Sequence, residues 1–538
     1  MQTKIASWPW GKDLAVDYRA KIWLALTHSM LYYNREDVIR WREWAIRKDA
    51  TIDSLHRDRE ALVVIGCEKL SESLSTSSRT TKLKVLYEYN LDEGQTCFLK
   101  PGGIFVRFSQ GANQQDTDYG KLIEINGNKI IFERESEPED VNLAPNAIFV
   151  NEWIPLGQKP ATVGDLVQQL TMEWKDPNQE PKIQHPAMDL LMRHFPRLKS
   201  LNQLPEVENE NYLDAISKAC FDLNNSVLAI QGPPGSGKTY LGSRVIKQLV
   251  DAGFSVGVVA NSHSAVENLL RACIDAGVSE DLIAKRNQTG DKSPKPWFHP
   301  STNAQIASWR SELYGSLIGG TSWNFCSKEF MERSFDYIFI DEAAQFSLVD
   351  AIAVSANSKN LVLLGDPRQL TQVVQAIHPG GVDNSALGHY MGNNAILEKQ
   401  KGYFVSITRR LHPKINAPVS WLSYQGQLHS HPDTENFLVE GTKPGITLLE
   451  VSHFGNSSSS IEEAEVVLKT VSEQLQVIPA SEILVVSPYN AQVDLIRTLL
   501  DEAGFPEVAC GTVDKFQGRE ALVVIFSMAA SSSEDAPR

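Results

Sequence analysis

Nine residues, Gln231-Gly-Pro-Pro-Gly-Ser-Gly-Lys-Thr239, carry the densest chemical signal in the chain. They contain the pattern G-x-x-x-x-G-K-[ST], in which glycines let successive backbone N–H groups turn inward around an anion. Lys238 is then placed to neutralise the β- and γ-phosphate oxygens of a nucleoside triphosphate, and the Thr239 hydroxyl to ligate Mg²⁺. The expected nucleotide contacts are Gly232, Pro233, Pro234, Gly235, Ser236, Gly237, Lys238, Thr239 and Tyr240. The apolar stretch Ser226-Val-Leu-Ala-Ile230 before the loop reads as a buried strand, and a helix from about Tyr240 to Asp251 would add its positive N-terminal end.

Downstream, Asp336-Tyr-Ile-Phe-Ile340 reads as a strand that delivers Asp341-Glu-Ala-Ala-Gln345 at its carboxyl end, where α/β folds place ligands. Asp341 is expected to hold Mg²⁺ through its water shell, and Glu342 to orient and deprotonate an attacking water. The next strand, Asn360-Leu-Val-Leu-Leu364, leads into Gly365-Asp-Pro-Arg-Gln-Leu370, where the Gln369 amide is expected at the γ-phosphate. The run Ser255-Val-Gly-Val-Val-Ala-Asn261 ends in Ser262-His-Ser264 before a helix from about Ala265. Small hydroxyls and amides at a strand end suit a phosphodiester backbone, so Ser262 and His263 are candidate nucleic-acid contacts.

Composition narrows the remaining classes. A chain of 538 residues has room for about three or four domains. Lys+Arg 51 against Asp+Glu 66 gives a net charge of −15, which argues against coating nucleic acid over the whole surface but not against gripping it in a local basic groove. The six cysteines contain no C-x-x-C pair, so a zinc site, an iron–sulfur cluster and a disulfide framework are not expected. The start has no apolar signal core, and no run reaches the ~18 apolar residues of a membrane span. A cytoplasmic monomer is the expectation.

The elements that position these residues fall into blocks. Residues 1–60 read as helical, with Trp8, Trp10, Trp23, Trp41 and Trp44 as packing residues. Residues 61–160 change to short β-type runs, among them Leu62–Ile65, Lys82–Tyr87, Gly103–Phe108 and Lys129–Phe132, spaced as in a small antiparallel barrel. Helix returns from Thr162 to about Lys199, and residues 161–211 form a stalk and linker. Beyond that, strands alternate with helices in the manner of parallel α/β sheets, over 212–398 and 399–538. Ser460-Ile-Glu-Glu463 reads as a capping box opening a helix near Ile461–Leu475.

Taken in order, GPPGSGKT, ANSHSAVENLL, DEAAQ, GDPRQL, Arg409-Arg-Leu-His-Pro413, Val486-Ser-Pro-Tyr-Asn-Ala-Gln492 and Gly511-Thr-Val-Asp-Lys-Phe-Gln-Gly-Arg-Glu520 resemble the motifs of superfamily-one helicases of the Upf-like branch. Within it the likeness is to bacterial helicases fused to a RecB-like nuclease region, and it covers Leu213 to the C-terminus. The resemblance implies a P-loop NTPase of two RecA-like parallel-sheet domains, with ATP in the cleft between them and single-stranded nucleic acid, DNA before RNA, across their top. It implies that Arg410 reaches the γ-phosphate from the second domain, that Gly518 and Glu520 contact the nucleotide ribose and couple it to the nucleic-acid track, and that Thr512 and Pro488 line that track. It implies 5′→3′ movement. Arg409 stands where the family commonly has an aromatic residue, which leaves any stacking role there open. The segment 61–160 resembles the small barrel such helicases carry on their first RecA-like domain.

The family continues past the strand Ala521–Phe526 into a motif bearing a second arginine finger. The chain ends at Arg538 without it, so the second domain is expected to be incomplete. Tyr33 and Asp37 have the Tyr-x-x-x-Asp spacing of the last motif of a DEDD-type exonuclease, so residues 1–60 are a candidate remnant of such a domain. Two further function classes therefore stand beside the helicase: a nucleotide-gated nucleic-acid-binding module with little turnover, and a nuclease.

Overall fold

The computed structural model describes residues 18–532 apart from 59, 76–81, 93–94, 96–98, 100–101, 103, 109–116, 137–144, 151–154, 175–180, 288–292, 332–333, 371 and 517. Trp8, Trp10, Gly103 and Gln517 thus lie outside the described residues. The chain divides into two compact units, one of Leu26–Pro160 with Val374–Gly380, the other of Met1–Ala25, Ala161–Val373 and Gly381–Arg538.

The smaller unit holds a closed antiparallel barrel of β1 (Ala61–Ser75), β2 (Lys82–Leu91), β3 (Ile104–Phe108), β4 (Thr117–Asn126), β5 (Lys129–Ser136) and β6 (Ala147–Val150), in the order β1-β2-β5-β4-β3-β6. Closure removes the free edges that an open sheet would leave. Alternate residues point inward, so Leu62, Val64, Val85, Tyr87, Tyr89, Leu122 and Phe132 form one core. The polar sequence of β4 hides a strand that exists through pairing. At Gly120, which lies opposite Arg134, an added Cβ would meet the Phe132 ring at 2.0 Å. The helix Tyr32–Asp49 packs Trp44 onto Leu55, Ala61 and Phe149. Tyr33 on this helix is buried, with Lys159 Nζ 4.8 Å from its ring centroid, and packs inside the unit. Among the described residues, no three His, Cys, Asp or Glu side chains gather as metal ligands.

The larger unit is built on a seven-stranded parallel sheet of β7 (Val227–Gln231), β8 (Ser255–Val259), β9 (Ile283–Lys285), β10 (Ser316–Gly320), β11 (Phe335–Ile340), β12 (Ser358–Gly365) and β13 (Gly402–Phe404), ordered β13-β7-β12-β11-β8-β10-β9. Strands β7, β8 and β10 are buried end to end, as continuous apolar runs covered on both faces must be. The helices Tyr212–Asp222, Lys238–Asp251 and His263–Asp275 contribute to one continuous core with these strands. Because β13 pairs with β7, the first sheet extends past residue 398, the limit expected from the sequence. The stalk contains two shorter helices, Lys159–Glu173 and Pro186–Met192, rather than one helical stretch. From the second of these, buried Asp189 accepts two hydrogen bonds from Arg197 and one from Ser226 Oγ, which anchors the start of β7.

A second lobe follows. Strands β14 (Ile407–Thr408) and β15 (His429–Ser430) pair with each other across the helix Pro413–Tyr424, and β16 (Ile483–Val486), β17 (Ala509–Gly511) and β18 (Val523–Phe526) form a parallel sheet ordered β17-β16-β18. The helices Ile461–Gln474 and Asn490–Glu502 share a core with it through Ala464, Val467, Ile496 and Leu500. Ser460 caps the first helix by accepting from Glu463 N at 3.2 Å. The reciprocal half of the expected capping box is replaced, because the Glu463 carboxylate accepts from Ser527 Oγ and Ala529 N instead and ties down the chain after β18. Among the described residues no helix is long and apolar enough to cross a membrane.

Candidate nucleotide site

The phosphate loop leaves the carboxyl end of β7 and enters the helix Lys238–Asp251 at Gly237. Gly235 and Gly237 have φ of +72° and +85°, a left-handed backbone that glycine adopts without a steric penalty. At Gly232 a Cβ would stand 2.2 Å from Lys238 Cγ and 2.6 Å from Ser236 Oγ, so this glycine clears the path of the lysine. Lys238 Nζ donates to Gly232 O at 2.5 Å, a neutral acceptor that a phosphate oxygen would outcompete. Ser236 Oγ is buried with no hydrogen-bond partner among the described residues. An inward lysine, an orphaned hydroxyl and a helix N-terminus fit a polyphosphate. At Tyr240 the ring is capped by the Arg244 guanidinium 3.4 Å from its centroid, an exposed flat surface beside the loop.

Strand β12 pairs in parallel with β7 and β11 with β12, which brings their carboxyl ends to the same edge. Asp341, the first residue after β11, is buried, and burial together with the neighbouring Glu342 carboxylate pushes its carboxyl up to about 6 against the pull of the Glu342 N–H and Lys238. A carboxylate whose charge is disfavoured by burial is one that a cation would relieve. A single Asp with the Thr239 hydroxyl suits Mg²⁺, which keeps waters and phosphate oxygens as its other ligands. Such an ion would neutralise charge on the phosphates. Glu342 has φ +52°, unusual for a residue with a side chain, and its N–H bonds Asp341 Oδ1 at 3.0 Å. The turn is held by Ala343 N donating to Leu364 O at 2.8 Å. Gly365 is required beneath it, since a Cβ there would stand 2.9 Å from Ala344 N.

After β12, Gln369 does not project freely. Its amide donates to Asp366 Oδ2 at 3.2 Å, and the fully buried Asp366 also accepts from Gln231 Nε2 at 3.3 Å, Arg368 N at 3.3 Å and Tyr424 OH at 2.6 Å. Gln231 in turn reaches Ala395 O and Leu397 N. Asp366, Gln231 and Tyr424 were not singled out from the sequence. Gln231 directly precedes the glycines and could have been suspected, whereas nothing in the sequence links Tyr424 to a residue 58 positions away.

The second lobe meets the backbone of this loop through one N–H and one hydroxyl. Arg409 N donates to Gly235 O at 2.9 Å and Thr408 Oγ1 to Pro234 O at 2.8 Å. A Cβ on Gly235 would collide with Arg410 Cβ at 2.3 Å, so the fit of the two segments depends on that glycine. Arg410 Nε donates to Glu520 Oε2, and Gly518 turns nearby in sequence at φ +77°. Thus Arg410 and Glu520 are brought together beside the phosphate loop. Pro488 and Thr512 follow the carboxyl ends of the adjacent strands β16 and β17. Ser262 caps the helix His263–Asp275 by accepting from Ala265 N at 3.1 Å, two residues earlier than the helix start expected from the sequence. His263 Nδ1 is buried without a partner among the described residues, and burial, helped by Lys285, holds the ring below its ordinary pKa and hence neutral.

Two family models, each described as an AAA domain, match residues 214–397 and 382–536. The chain is 26% identical over 379 residues to the DNA polymerase alpha-associated DNA helicase A of Schizosaccharomyces pombe, covering 56% of each. It is 25% identical over 330 residues to the DNA replication ATP-dependent helicase/nuclease DNA2 of Gallus gallus, covering 58% of this chain and 32% of that one. The DNA-binding protein SMUBP-2 of Mesocricetus auratus is 26% identical over 382 residues, 57% of this chain and 38% of that one. The chain therefore spans about a third to about half the length of these curated relatives. With its motifs set along the edge of two parallel sheets, residues 214–536 make the chain a member of the superfamily-one helicases of the Upf-like branch.

Proposed function

We propose that the chain is an ATP-driven translocase and helicase acting on single-stranded DNA. One observation carries the reading: the Thr408 hydroxyl and the Arg409 N–H of the second lobe dock on the Pro234 and Gly235 carbonyls of the phosphate loop, so that Lys238 and Arg410 flank one loop from two lobes. A nucleotide held there would be felt by both lobes, and closing and opening of the cleft with binding and hydrolysis would move a strand.

In this reading residues 212–398, with β13, form the nucleotide-binding domain, 399–538 the second, and 61–160 an accessory barrel. Lys238 and the loop amides hold the phosphates, Thr239 and Asp341 carry Mg²⁺, Glu342 takes the proton of the attacking water, and Gln369 and Arg410 meet the γ-phosphate. Gly518 and Glu520 face the nucleotide from the second lobe, and Tyr240 offers a flat surface for the base. Ser262, His263, Pro488 and Thr512 touch the strand. DNA is favoured over RNA because the relatives carry DNA in their names.

The test is steady-state ATP hydrolysis with and without single-stranded DNA, with RNA of the same sequence as a second arm. Stimulation by DNA, and binding that weakens steeply with salt across unrelated sequences, is the expected result. Binding of ATP and DNA without turnover would replace the helicase with a nucleotide-gated binding module. Stimulation by RNA alone would overturn the choice of strand.

A further inference from the structure

Tyr424 is a buried phenol whose place in the proposed cycle remains to be assigned. It ends the helix Pro413–Tyr424, with Gln425 in the left-handed region closing the turn at φ +53°. Only 2% exposed, its ring lies 6.0 Å from that of Phe404, and its hydroxyl makes the shortest hydrogen bond that Asp366 receives, 2.6 Å. Burial and the Asp366 carboxylate both disfavour its ionisation, so the phenol stays a donor. The opposite end of the same helix is capped by His412, two residues after Arg410. A twelve-residue helix is a strut of roughly 18 Å. One end therefore carries the arginine, and the other grips the carboxylate that also holds the Gln369 amide at 3.2 Å.

We propose that Tyr424 is a positioning residue for nucleotide hydrolysis: by clamping Asp366 it ties the Gln369 amide to the helix that follows Arg410, so that both groups reach the γ-phosphate together. The inference rests on the function proposed above. Asp366 has a limited set of donors. When Gln369 turns its amide from Asp366 to a phosphate oxygen, the carboxylate keeps Gln231 Nε2, Arg368 N and Tyr424 OH as donors, and of these Tyr424 is the one on the helix that follows Arg410. The phenol touches neither nucleotide nor metal in this scheme; it acts only through Asp366 and the helix.

Tyr424→Phe removes one oxygen and keeps the ring against Phe404. The expected result is a kcat for DNA-stimulated ATP hydrolysis about tenfold lower with KM changed less than about twofold, the loss appropriate to one hydrogen bond to a charged acceptor. The double variant Tyr424→Phe/Gln369→Ala should be no slower than Gln369→Ala alone, because the clamp has nothing left to deliver. Amide hydrogen exchange supplies a readout that does not need turnover. ATP with Mg²⁺ should slow exchange at residues 232–239 and 413–424 in the wild type, but only at 232–239 in Tyr424→Phe. Protection of the helix undiminished in the variant, or losses that multiply in the double variant, would overturn the coupling and leave the proposed function standing. Absence of protection at 232–239 in the wild type would overturn both. If Tyr424→Phe fails to fold, Asp366→Asn, which keeps the shape and weakens the acceptor, carries the same comparison.

Discussion

The seven-stranded and the three-stranded parallel sheets of the larger unit differ in how completely they are enclosed. In the first, β7, β8 and β10 are buried along their whole length, and the phosphate loop, Asp341 and Asp366 all emerge from that one stiff edge. In the second, β18 is an edge strand whose alternate residues face outward, with Val524 57% and Phe526 52% exposed. A packed lobe fixes geometry. A leaner one opens at lower free energy and is the natural moving part. In the function proposed above, the contrast puts most of the grip on the nucleotide in the first lobe and makes Arg410 of the second lobe a group that acts mainly on the transition state.

The largest expected effects test that division of labour directly. Arg410→Ala in the second lobe and Glu342→Gln in the first should each lower kcat by about 10³ while leaving ATP affinity near that of the wild type, since an arginine finger and a general base act on the transition state. Single-turnover hydrolysis with calorimetric ATP titration checks both. Weakened ATP binding in Arg410→Ala would move part of the grip into the second lobe. Lys238→Ala, by contrast, should cost at least about a hundredfold in ATP affinity, because it removes the cation that the loop itself presents.

Stability should divide along the same line. Ile230→Ala, at a fully buried position of β7, is expected to cost about 2–5 kcal/mol, while Val524→Ala on the exposed face of β18 should stay within about 0.5 kcal/mol, both read by urea denaturation. Equal losses would mean that β18 is far better covered than its exposure indicates.

Acid should act on the first lobe through His389. Its Nε2 donates to Leu191 O at 3.0 Å, and burial drops the ring from 6.5 to about 4. A lowered histidine pKa means that the unfolded chain takes up a proton that the folded one refuses, so stability is present above 6.5 and falls as pH drops toward 4. At pH 5 the wild type should have lost about 2 kcal/mol more than His389→Gln, relative to pH 7, in chemical denaturation. The smallest effect is one of solubility. Val524→Lys should leave denaturation unchanged and reduce light scattering on concentration, as a charge on an edge strand does.

Much of this was legible where chemistry demands a local pattern. The phosphate loop, the Asp341–Glu342 pair and the strands that deliver them follow from glycine spacing and apolar runs, and the strands expected at Ser226–Ile230 and Asn360–Leu364 lie within one or two residues of β7 and the core of β12. What stayed hidden is made of long-range partners. Strand β13 is three residues that become a strand only by lying against β7, and β4 looks polar until Gly120 lets it close over Phe132. Gln369 was expected to face the phosphates, yet its amide is held by Asp366, a residue that in sequence looks like an ordinary turn. Glu463 fitted a local helix start, but its carboxylate is claimed by Ser527 and Ala529, more than sixty positions away.

The left-handed backbone at Glu342 narrows the choices open to evolution at that position. Glycine or asparagine would sit there at greater ease, by about 1 kcal/mol, but neither can take a proton from water. Aspartate would tolerate the conformation and keep the charge, but it is one methylene shorter. Random drift at this codon would thus be drawn toward a more stable protein without the base proposed above. Under the proposed mechanism, glutamate at this position is kept by selection for turnover and not by selection for stability.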